Sequence, residues 1–111
     1  MREMKDRLFM FYLRLLSKEL VCRQDLIDSQ GLFEGSGYKE VLGYQHCLAK
    51  YIKKKLKGES RKKADELMRD IAASKEPLEN FWERFEPLYT EALCVGLIHI
   101  SDTDTTSRGL L

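Results

Sequence analysis

The chain has 111 residues and a mass of 13.0 kDa, with 43% hydrophobic and 33% charged residues. That bounds it to one domain and excludes the large α/β enzyme folds. The 19 Lys+Arg and 18 Asp+Glu nearly cancel to a net charge of +1, so total charge points neither to nor away from a polyanionic partner.

Helical periodicity dominates from the start. Met4, Leu8, Phe11 and Leu15 recur on one helix face, and Phe9, Tyr12, Leu13, Leu16 and Leu20 widen it. Between Leu8 and Leu16 the only charged residue is Arg14, so the spacing predicts one helix over residues 5–27 that is apolar almost all round. Such a helix belongs at a bundle centre or in an interface. Leu8, Phe9, Phe11 and Tyr12 are therefore assigned to a homodimer interface or to the core beneath it. The acidic residues before this run, and the lack of a small-residue cleavage site after it, predict no secretory signal. It is also far short of the ~20 apolar residues of a membrane span.

Asp28-Ser29-Gln30-Gly31 and Glu34-Gly35-Ser36-Gly37 hold three glycines in ten residues and predict an interhelical loop, with Leu32 and Phe33 tucked onto the core. No phosphate-cradling spacing is present there. A second helix is expected over 38–57, with Ser36 as its N-cap and Gly58 as its stop. Val41, Tyr44, Leu48, Tyr51 and Ile52 fall on its apolar side. Lys39, Gly43, His46, Lys50, Lys53 and Lys57 fall opposite, which makes His46 a solvated histidine.

Ser60 is the expected cap of a third helix over 61–74, with Ala64, Leu67, Met68, Ile71 and Ala72 inward. Pro77 opens the next helix. It carries the heaviest aromatic face in the chain, from Leu78, Phe81, Trp82, Phe85, Leu88 and Tyr89. Pro87 then kinks that helix or starts a fifth. Residues 91–100 continue as helix or turn extended, and 101–111 form a polar C-terminal tail. The fold expected is all-α: a compact bundle of four or five helices over residues 1–100, with the N-terminal helix central.

Cys22, Cys47 and Cys94 are odd in number and widely spaced, each within an apolar helical pattern. That usage predicts reduced thiols and a cytoplasmic protein. No CxxC or HxxxH pair announces a metal, and no nucleophile–base motif appears. His46 and Cys47 are adjacent and diverge on a helix. Neither cofactor, small-molecule substrate nor catalysis is expected, and carboxylates such as Glu83 and Glu86 read as a solvated face.

Charge segregation is the informative signal. Residues 1–49 are neutral, 50–63 carry +7, and 64–111 carry −6. Lys50, Lys53, Lys54 and Lys57 form one helical stripe, and Arg61, Lys62 and Lys63 stand in the first turn of the next helix. Stacked like charges, and cations at a helix N-terminus, both cost stability. The block thus predicts a surface for an anionic partner. Protein carboxylate is one such partner, including Glu76, Glu79, Glu83, Glu86 and Glu91 of this chain or a second copy. Nucleic-acid phosphate is the other, read without sequence information because lysine dominates. The first expectation is a non-enzymatic interaction or regulatory protein docking on a protein partner; the second is a small nucleic-acid-binding protein.

Overall fold

A computed structural model describes residues 2–94, excepting the Arg2 side chain, and folds them as five helices: α1 (Arg2–Ser17), α2 (Arg23–Gly31), α3 (Lys39–Lys55), α4 (Gly58–Ala73) and α5 (Phe81–Cys94). No strand occurs among the described residues. The all-α helical bundle expected from periodicity is the fold. The expectations for 95–100 and for the tail at 101–111 lie outside the described residues.

The hub is α3, which packs against each of the other four helices. The N-terminal helix is not central, because α1 lies at the side, against α3 and α5. Its Leu8, Tyr12 and Leu15 are buried, whereas Phe9, Met10 and Leu13 are 42%, 62% and 36% exposed. Residues 41–49 of α3 are buried without interruption, so its expected polar side is covered as well.

What covers that side is α2. Periodicity alone predicts one helix through 5–27, but the chain turns after Ser17. Glu19 takes a left-handed φ of 62°. Its N–H donates to the Leu16 carbonyl and the Leu20 N–H donates to the Leu15 carbonyl, each at 2.9 Å. These paired bonds close a helix end on a residue in the left-handed region. Then Cys22 caps the start of α2, and its N–H donates to the Asp25 carboxylate at 2.9 Å. Asp28 to Gly31 complete α2 rather than opening the loop, and Phe33 is buried while Leu32 is exposed.

Gly43 lets α2 approach closely. A Cβ there would stand 2.2 Å from Gln30 Cγ and 3.1 Å from Gln30 Cα. One turn on, His46 is 8% exposed, and its Nδ1 shares a 2.8 Å hydrogen bond with the buried Ser29 Oγ. His46 is thus a core residue, not a solvated one, and burial lowers its pKa.

The other helices follow their stripes. Ala64, Leu67 and Ile71 of α4 are buried and Met68 packs beside them, but Ala72 is exposed. The two expected serine caps differ from the structure. Ser36 Oγ accepts the Tyr38 N–H before α3, and Ser60 lies inside α4, where it donates to Glu91 at 2.6 Å. Pro77 belongs to the connection before α5, and α5 continues through Pro87.

That connection is fixed by Gln45, a fully buried polar side chain of α3. Its Oε1 accepts the Leu78 N–H, and its Nε2 donates to the Leu78 carbonyl, both at 3.1 Å. The same Nε2 lies 3.3 Å from Met4 Sδ, so one carboxamide holds α1, α3 and the connection into α5 together.

Candidate interaction surfaces

Two surfaces stand out, an aromatic groove and a cationic corner. The groove runs between α1 and α5. Phe11 packs its ring on Trp82, Phe85 and Tyr89, with centroids 5.8, 5.5 and 4.9 Å away. The Phe85 and Tyr89 contacts are edge-to-face and the Trp82 contact is tilted, and such aromatic pairs add to the energy of apolar burial. Arg7 lies 4.1 Å over the Trp82 ring and pairs with Glu86 at the rim. The groove has a volume of about 580 Å³, and Met10 and Leu93 form its exposed edges.

From Met10 the apolar surface continues across the outer face of α1 to Leu13 and Phe9. Of the four interface or core residues expected on this helix, Leu8 and Tyr12 are core and Phe11 is half-buried in the groove floor. Phe9 is exposed, in an edge-to-face arrangement with Tyr44. Met10 was missed because periodicity counts apolar positions without showing which neighbours arrive. Its only sequence signal is the width of the apolar face.

The cationic corner lies where α3 ends and α4 begins. The expected stripe does not act as one unit. Lys53 turns toward α4 and pairs with Asp65 at 2.7 Å, and Asp65 also takes Arg69 Nε at 2.9 Å. The Lys53 hydrogen bond leads in holding the Asp65 carboxyl below its ordinary range. Lys50 and Lys54 face the other way, toward the α1–α2 bend. Lys57, Arg61, Lys62 and Lys63 are exposed and form no ion pair among the described residues.

Among the described residues, none of Glu76, Glu79, Glu83, Glu86 and Glu91 forms an ion pair with this block. Glu86 pairs with Arg7, and Glu91 accepts from Ser60. Tyr51 is core as expected, 4% exposed, and burial pushes its hydroxyl up to about 12.

All three cysteines are free thiols: Cys47 is buried, whereas Cys22 and Cys94 are exposed rather than packed in an apolar pattern. Among the described residues no three His, Cys, Asp or Glu side chains gather as a metal-binding set. No helix among them is long and apolar enough to cross a membrane. No protein-family model matches the chain, and no curated protein or solved structure matches it.

Proposed function

We propose that this is a non-enzymatic interaction protein whose working unit is a homodimer joined through α1. The observation that carries the reading is the exposed apolar strip of Met10, Leu13 and Phe9. A contiguous apolar patch rimmed by charge is the ordinary mark of a protein interface.

Charge complementarity supports a second copy as the occupant. Asp6, Met10 and Arg14 follow one another at i, i+4 and i+8, one ridge along the outside of α1. Asp6 and Arg14 are exposed and form no ion pair among the described residues. Two copies packed antiparallel about a twofold axis at Met10 set Asp6 of each against Arg14 of the other. Burial of the apolar strip supplies most of the stabilisation, since exposed ion pairs contribute only about 0.2–1 kcal/mol each.

Sedimentation equilibrium tests the proposal. The full chain is expected to reach a dimer mass at micromolar concentration, and Met10→Glu to be monomeric. Asp6→Arg and Arg14→Asp should each weaken self-association several-fold by placing like charges together. Combining them restores the pairing. A monomer at high micromolar concentration, or a double variant no better than the singles, overturns the reading.

A second reading rests on the unpaired Lys57, Arg61, Lys62 and Lys63. These cations fit nucleic-acid phosphate, and each phosphate neutralised adds about 0.7–0.9 to the log–log salt slope. Lys62→Ala with Lys63→Ala would flatten that slope by about one to two units. Absence of probe retention at low salt ends this reading.

A further inference from the structure

Between the α1–α2 bend and the C-terminal half of α3 lies a recess of about 220 Å³. Its rim carries Lys50, Lys54 and Lys55, with Asp25 of α2 facing them, and Leu20, Val21 and Cys47 form much of the rest of the wall. None of the three lysines forms a direct ion pair among the described residues, although Lys55 Nζ lies 5.7 Å from the Tyr51 ring centroid.

The charges are specific. Three ammonium groups and one carboxylate leave two positive charges, the complement of a phosphate monoester dianion. Asp25 stays ionised: the Cys22 N–H leads in lowering its pKa, with Lys54 and Lys50 adding smaller contributions. A carboxylate offers about four acceptor sites. Asp25 can therefore accept a ligand hydroxyl while it keeps the Cys22 N–H.

The recess is smaller than a typical drug-sized pocket of about 300–1,000 Å³, which limits the ligand to a phosphate and a short carbon body. The Cys47 thiol is pushed by burial up to about 12, so it remains neutral and serves as wall rather than nucleophile.

We propose that this recess binds a small hydroxylated phosphate monoester, its phosphate held by Lys50, Lys54 and Lys55 and its hydroxyl by Asp25. The site is separate from the α1 face, and its occupation does not depend on self-association.

Calorimetric titration of the full chain with glycerol 3-phosphate tests the assignment. Saturable one-to-one binding is expected. Lys50→Gln with Lys54→Gln should weaken it by about tenfold or more, because two charge-assisted contacts are lost. Lys62→Gln with Lys63→Gln should leave it unchanged. Methyl phosphate, which lacks the hydroxyl, should bind several-fold more weakly, and Asp25→Asn should erase that preference. A melting curve of each variant confirms that the fold is retained. The Met10→Glu variant should bind as the parent chain does, so failure of the dimer and failure of this site are distinguishable.

No binding at millimolar ligand would overturn the proposal, as would an unaffected lysine double variant. Equal affinity for methyl phosphate would remove the assigned role of Asp25. Displacement of glycerol 3-phosphate by a DNA or RNA oligonucleotide, with dependence on Lys50 and Lys54, would transfer the site to nucleic-acid phosphate and overturn the small-ligand assignment.

Discussion

Replacing Gln45 by Leu changes a side chain that no surface assay would notice, yet it should lower the stability of the whole fold. Gln45 is fully buried and satisfies both polar groups of the Leu78 peptide at 3.1 Å. Leucine has nearly the same volume, so packing changes little and the lost hydrogen bonds dominate. Each backbone group left without a partner costs about 1–3 kcal/mol. Leu78 is only half-buried, so water partly restores its bonds and the lower end applies. Avoiding burial of the carboxamide, and burying two methyl groups instead, returns about 1–2 kcal/mol. Two groups at that lower end cost about 2–3 kcal/mol together, so the net loss is about 1 kcal/mol.

Gln45→Glu should be worse at neutral pH. A buried carboxylate can accept the Leu78 N–H but only repels the Leu78 carbonyl. Urea unfolding followed by far-ultraviolet circular dichroism reads both variants, with an unchanged m-value showing that folding remains two-state. Because Leu78 leads into α5, the same variants should loosen the α1–α5 groove. A midpoint for Gln45→Leu equal to that of the parent chain would refute the reasoning, as would Gln45→Glu matching Gln45→Leu at neutral pH.

Glu19→Gly should stabilise the chain by about 0.5–1 kcal/mol in the same assay, since the left-handed backbone at φ 62° costs a non-glycine residue about 1–2 kcal/mol and glycine's extra chain entropy returns part of it. Destabilisation would show that the Glu19 side chain holds the bend instead. Acidification should weaken the fold through His46. Burial leads in lowering its native pKa below the ordinary 6.5, so the unfolded chain takes up the proton first. Stability is therefore full above 6.5, falls as pH drops toward the lowered native pKa, and levels off below it. Midpoints collected across that window should slope less in His46→Gln, and an unchanged slope would contradict the assignment.

The helices of this protein are written in its residue spacing. The stripe Ala64, Leu67 and Ile71 identified the buried side of α4, and Phe81, Phe85 and Leu88 identified that of α5. Aromatic and aliphatic residues at helical intervals have only one economical place to go, and that local rule needs no knowledge of the neighbours. The clustering of cations in residues 50–63 was equally legible, because it is a property of the chain.

Only the tertiary structure decided which helix stands at the centre. Nothing in Lys18 to Val21 marks a break: there is no glycine or proline, and the bend exists because Glu19 accepts a left-handed backbone that packing of α2 on α3 sustains. Once α2 folds back, Gly43 and His46 lie beneath it, and a face that reads as polar becomes core. The same rearrangement splits the lysine stripe. Lys53 meets Asp65 of α4, twelve residues away, while Lys50 and Lys54 meet the recess beside Asp25. A period of 3.6 residues states which side chains share a face. It does not state what arrives to cover that face, because burial and ion pairing are set by contacts between segments distant in sequence.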